Sequence, residues 1–117
     1  MDYLNVHATS TPVGDISEIQ AVNRLFGGKS ERLIISATKS MTGHLLGAAG
    51  AIEAIACLYS IRDRVVPPTI NTRELDPAVP KGLNILLGEA RDWPVEVAMS
   101  NTFGFGGHNG IVVFKKV

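Results

Sequence analysis

Bulky apolar residues alternate with other groups over residues 3–7, the period-two pattern of a short strand, and the run ends in the hydroxyl-rich loop Thr9-Ser10-Thr11. Pro12 and Gly14 then break the chain. Ile16, Ile19, Val22, Leu25 and Phe26 recur at helical spacing, with Asp15 or Ser17 placed to cap that helix and Gly27 and Gly28 to end it. Residues 32–36 are too few and too β-branched to prefer a helix and predict a second strand, which delivers a loop carrying Lys39. From His44 a helical pattern runs to about Arg62, opening with the small residues Gly47, Ala48, Ala49, Gly50 and Ala51, which allow close backbone approach. Pro67 and Pro68 stop it, and residues 69–80 read as surface loop. Residues 83–87 suggest a small strand. Val95, Val97 and Met99 alternate with Glu96, Ala98 and Ser100 as a strand into a glycine-rich loop, and residues 111–115 return as its antiparallel partner. Strands and helices alternate first and a hairpin follows, so the predicted class is α/β with a mixed sheet.

A length of 117 residues leaves room for one domain at most. Apolar residues at 45% and charged residues at 19% fit a globular chain with a substantial core. Eleven basic residues balance eleven acidic ones, and aromatic content is 6%, so neither a cationic field nor a stacking platform points to nucleic acid. The first residues show no basic segment followed by an apolar core, and no apolar run reaches membrane-spanning length. The single cysteine, Cys57, excludes an internal disulfide framework and fits a reducing compartment. The expectation is a soluble, cytoplasmic chain without a membrane or nucleic-acid partner. Residues 51–58, around Cys57, are apolar on nearly every side and read as a buried helix, so Cys57 is expected in the core as a small hydrophobe rather than as a reactive thiolate.

Three stretches concentrate the candidate chemistry: Val6-His7-Ala8-Thr9-Ser10-Thr11, Thr38-Lys39-Ser40-Met41-Thr42-Gly43-His44, and Asn101-Thr102-Phe103-Gly104-Phe105-Gly106-Gly107-His108-Asn109-Gly110. The last is glycine-rich but lies between two strands, so it is not a dinucleotide fingerprint, which needs its glycines between a strand and a helix. Gly27-Gly28-Lys29-Ser30 fails as a phosphate loop because the first glycine required would fall at Asn23. Three histidines and one cysteine lie too far apart in sequence to argue for a metal site.

Together the three stretches resemble the carboxyl-terminal catalytic segment of the elongating type II 3-oxoacyl-[acyl-carrier-protein] synthases, whose members carry H-[GA]-T-[SA]-T, T-K-S-x-x-G-H and N-S-F-G-F-G-G-[TH]-N. The match runs from about Asp2 to about Lys116. The resemblance implies a thiolase-like fold of which residues 1–117 form the carboxyl-terminal part, the nucleophile-bearing amino-terminal half being absent. It implies decarboxylative condensation of an acyl thioester with malonyl-[acyl-carrier-protein] in fatty acid biosynthesis. His7 and His44 would be neutral imidazoles donating ring N–H groups to the enolate oxygen. Lys39 would sit beside them in an ion-paired network with Glu18, acting by field, by orienting a histidine or by positioning water. Thr9 and Thr11 would bind the phosphopantetheine arm, and Phe105 would gate the acyl pocket with mobility supplied by Gly104, Gly106 and Gly107. Phe103 is expected to serve packing. Ala8 stands where the family more often has glycine, and its methyl is expected to need a negative φ. No bound cofactor and no metal is implied. The implied partners are acyl carrier protein, the missing half of the synthase and, when complete, a second copy. Two other readings remain open: a noncatalytic pairing subunit, and a malonyl decarboxylase without the condensing cysteine.

Overall fold

The computed structural model describes residues 1–27 and 31–117. In chain order it contains β1 (Tyr3–Asn5), α1 (Gly14–Phe26), β2 (Ile34–Ser36), the single-turn helix α2 (Lys39–Thr42), a 3-10 turn over Leu46–Ala48, α3 (Ala49–Asp63), β3 (Val65–Val66), β4 (Arg91–Asp92), β5 (Val97–Gly104) and β6 (His108–Lys115). Four strands form one mixed sheet in the order β2-β1-β5-β6, with β1 parallel to β2 and to β5, and β6 antiparallel to β5. β3 and β4 pair separately as a short antiparallel ribbon.

Strand alternation divides the core into two layers. Tyr3, Ile34 and Ala98 pack with Cys57 of α3 on one face, while Leu4, Val6 and Ile35 pack with Ile19 and Val22 of α1 on the other. The two long helices therefore cover opposite faces, and the ends of β1, β2 and β5 bring the three motifs to one edge of the sheet. Cys57 is fully buried, as expected.

Several expectations are corrected. Asp15 does not cap α1: the cap position is Val13, without a side-chain bond, and Asp15 Oδ1 instead accepts the Thr11 N–H at 3.2 Å. Lys39 begins a helix rather than lying in a loop. Residues 83–87 make only the isolated bridges Ile35↔Ile85 and Thr69↔Leu87, not a strand. The glycine loop shrinks to the turn Phe105–Gly107, since β5 runs on to Gly104 and β6 starts at His108. Gly106 and Gly107, with φ of 78° and 83°, permit that tight reversal. Gly28 and most of the rejected phosphate-loop run fall outside the described residues.

α3 departs furthest from its pattern. Its buried stripe is Ala49, Glu53, Cys57 and Ser60, while Ile52, Ile55, Leu58 and Tyr59 are exposed. The side facing the sheet must be slim: a Cβ at Gly50 would stand 3.1 Å from Thr102 Oγ1 on β5. Small and polar residues therefore turn inward, and the bulky apolar ones have only the outer face left.

Candidate active site

β1 ends two residues before His7, α2 presents Lys39 at its first position and terminates at Gly43, and β5 leads to Phe103 and the turn bearing Phe105. The rings of His7 and His44 meet edge to face, with centroids 5.5 Å apart and an interplanar angle of 88°. Phe103 lies against His7, its centroid 5.4 Å from the imidazole.

Backbone N–H groups decide the tautomers. Phe103 N–H donates to His7 Nδ1 at 3.3 Å, and Leu46 N–H donates to His44 Nδ1 at 3.2 Å. A nitrogen that accepts carries no proton, so each neutral ring holds its hydrogen on Nε2. Leu46 reaches His44 from a left-handed backbone, φ 51°. Burial lowers the His7 pKa below the ordinary imidazole value, and the nearby Lys39 and His44 push it the same way.

Lys39 is buried, and its Nζ pairs with Glu53 Oε1 of α3, not with Glu18. This corrects the expected network, and the sheet explains it. Glu18 belongs to α1 on one face, and Lys39 turns toward α3 on the other. Burial raises the Glu53 carboxyl pKa, with the Lys39 ammonium opposing. Glu18 does different work. Its carboxylate accepts the backbone N–H groups of His7 and Ala8, both at 2.9 Å, and the Asn101 side-chain amide at 3.0 Å. That grip also corrects the expectation for Ala8, whose φ is +27°: two successive N–H groups drawn onto one carboxylate hold the backbone where an L residue is strained.

A cavity of about 820 Å³ opens over the imidazoles and is lined by His7, His44, Thr9, Thr11, Leu46 and Phe105, among others. Thr9 and Thr11 place their hydroxyls 3.5 Å apart on an exposed loop at its rim. Phe105 is 92% exposed, which excludes core packing for it within this chain. Gly104, Gly106 and Gly107 flank it in the turn. Cys57 lies behind the sheet with its thiol pushed up to about 12 by burial. The residues not anticipated from sequence are Glu53, Asn101 and the backbone donors of Leu46 and Phe103. Of these Glu53 left a signal as the single charge within an otherwise apolar helical run, and Asn101 as the first residue of the third motif, though the motif alone assigns it no role.

The family model described as "Beta-ketoacyl synthase, C-terminal domain" matches residues 1–73. The chain belongs to the beta-ketoacyl synthase family. It is 53% identical over 116 residues to 3-oxoacyl-[acyl-carrier-protein] synthase 2 of Staphylococcus aureus (strain COL), covering 99% of this chain and 28% of that protein. To the protein of the same name in Vibrio harveyi it is 50% identical over 116 residues, again covering 28% of the relative. A solved beta-ketoacyl synthase from Burkholderia phymatum STM815 superposes with a TM-score of 0.91 at 44% identity, over 100% of this chain and 28% of that one. A type II PKS acyl-carrier protein in complex with its ketosynthase bound to the hexaketide gives 0.91 at 34% identity, over 99% of this chain and 28% of that one. The chain thus has the thiolase-like fold of ketosynthases and spans a little over a quarter of the length of these family members.

Proposed function

We propose that this chain is the carboxyl-terminal catalytic portion of a 3-oxoacyl-[acyl-carrier-protein] synthase that condenses an acyl thioester with malonyl-[acyl-carrier-protein] in fatty acid biosynthesis. One observation carries the reading: both imidazoles have Nδ1 occupied by a backbone N–H and keep Nε2–H for a ligand. When a malonyl thioester on the carrier's phosphopantetheine arm loses carbon dioxide, the electron pair of the broken C–C bond moves onto the thioester oxygen. Two preorganised neutral donors stabilise that enolate oxygen without themselves changing charge. The enolate carbon then attacks an acyl thioester, and the acyl-bearing thiolate leaves. That thiol is assigned to sequence outside this segment, because Cys57 is buried and held protonated. Thr9 and Thr11, on the cavity rim, suit the amides of the pantetheine arm, and Phe105 suits a gate. A reducing compartment, cytoplasm or plastid stroma, accords with the one buried thiol, and the complete protein is read as a homodimer on the family resemblance.

The test uses a full-length synthase carrying this segment, made by exchanging the matching 116 residues of the Staphylococcus aureus relative for this chain. His7→Ala and His44→Ala should each cost roughly 3 kcal/mol of transition-state stabilisation, about a hundredfold in released carbon dioxide. An unchanged decarboxylation rate in either variant removes that histidine from the mechanism.

A further inference from the structure

One buried side-chain bridge joins the two histidine motifs. Asn5, fully buried, ends β1 two residues before His7, and Thr38, 4% exposed, stands immediately before Lys39. Asn5 Nδ2 donates to Thr38 Oγ1 at 2.8 Å, and Asn5 Oδ1 accepts the Thr38 backbone N–H at 3.3 Å, with the Thr38 hydroxyl 3.2 Å from the same oxygen. The carboxamide thus closes on both the backbone and the side chain of a residue 33 positions away.

The consequence follows from the size of α2. A helix of four residues cannot hold itself, because a single turn fixes several dihedrals for one or two hydrogen bonds. Its geometry comes from its tethers. On the loop side, Ser40 Oγ accepts the Ile70 N–H at 2.9 Å and Ser40 O accepts from Asn71 Nδ2 at 3.0 Å. On the sheet side the tether is Asn5, and the Thr38 hydroxyl, which at a helix start would ordinarily cap, makes no cap bond. Lys39 is the first residue of α2, and His44 follows directly on Gly43, which caps its end. His7 rides on the strand that carries Asn5.

We propose that Asn5 and Thr38 are positioning residues, whose bridge sets the separation of the two imidazoles and seats Lys39 beside them. The proposal rests on the reading of His7 and His44 as the enolate donors. A misplaced donor costs rate rather than affinity, because the enolate oxygen exists only after decarboxylation begins.

In the full-length synthase carrying this segment, Thr38→Val keeps the shape of the side chain and removes its hydroxyl. Malonyl-[acyl-carrier-protein] decarboxylation should fall about tenfold or more in kcat, with KM changed less than about twofold. Thr38→Ser should restore kcat. Asn5→Leu combined with Thr38→Val should be no slower than Asn5→Leu alone, since either change already opens the bridge. Ser60→Ala, at a buried hydroxyl on α3 that bonds the Ala56 carbonyl of its own helix, supplies the structural comparison: it should leave kcat per folded enzyme intact. If Thr38→Val does not fold, Thr38→Ala carries the same comparison. The inference is overturned if kcat per folded enzyme is unchanged, if Thr38→Ser loses as much as Thr38→Val, or if the two losses add. Full decarboxylation by His7→Ala would instead overturn the underlying functional reading. An inactive His7→Ala beside a normal Thr38→Val would overturn only the bridge.

Discussion

At the scale of single residues, the imidazole of His7 is tuned to stay neutral. Its burial, foremost, and the nearby Lys39 ammonium oppose protonation, so Nδ1 stays free to accept the Phe103 N–H, and the ring stays neutral, at a pH that would charge an ordinary histidine. The His7 imidazole, followed by NMR in the full-length synthase, should therefore titrate below the ordinary imidazole value of about 6.5. The linked stability has the same sign. An unfolded chain takes up the proton first, so the His7 contribution is complete above the ordinary imidazole pKa and is lost as pH falls toward the folded value. Lys39→Met removes a cation that opposes protonation, and the His7 titration should move upward in pH; a titration that stays or moves downward would sink this account of Lys39. Ala8 offers a test of strain. Glycine tolerates its φ of +27°, whereas a left-handed L residue costs roughly 1 kcal/mol, partly offset by the greater entropy of glycine in the unfolded chain. Ala8→Gly should leave thermal stability equal or raised, and a clear drop in melting temperature would contradict the strain argument.

At the scale of elements, the turn between β5 and β6 poses the question of gate against packing. Phe105 stands almost fully in solvent in this chain, between the extended Gly104 and the left-handed Gly106 and Gly107. In the full-length synthase Phe105→Ala should preserve the fold while altering acyl transfer more than malonyl decarboxylation. A core phenylalanine would behave otherwise, costing about 3–5 kcal/mol of stability and losing both half-reactions together. Elements also show how far the sequence could be read. α1 was legible because its apolar period of 3.6 follows the face it buries, and β1 and β2 because their short β-branched and bulky runs are buried; α3 was legible as a helix but not in which face it buries, since its bulky apolar residues point outward. The motif histidines were legible through resemblance. Glu53 as partner of Lys39 was not, because the choice between Glu18 and Glu53 depends on which face of the sheet each helix covers. The extension of β5 to Gly104 was hidden by its glycine content, which reads locally as loop but is held in the ladder by the pairing of Phe103 with Asn109 and Gly104 with His108. The φ of Ala8 was hidden too, since the grip of Glu18 acts from eleven residues beyond His7.

At the scale of the whole molecule, α3 turns Ala49, Glu53, Cys57 and Ser60 to the sheet and shows Ile52, Ile55, Leu58 and Tyr59 to water, while β6 leaves Ile111, Val112 and Val113 exposed on an open sheet edge. Such surface favours association. The purified 117-residue chain should sediment as more than a monomer and bind a hydrophobic dye; a monodisperse monomer that binds none would show those faces to be harmless. The same chain should not accept an acyl group, since its one thiol is buried and protonated, and stable transfer of radiolabelled acyl chain to Cys57 would contradict that. The burial of this solitary sulfur has a practical side as well. Thiol-directed reagents find nothing to react with on the folded surface, so a cysteine introduced at Ser10, on the exposed loop between Thr9 and Thr11, would be the sole point of attachment for a fluorophore or spin label. The fold thereby supplies its own blank background for watching the rim of the cavity in solution.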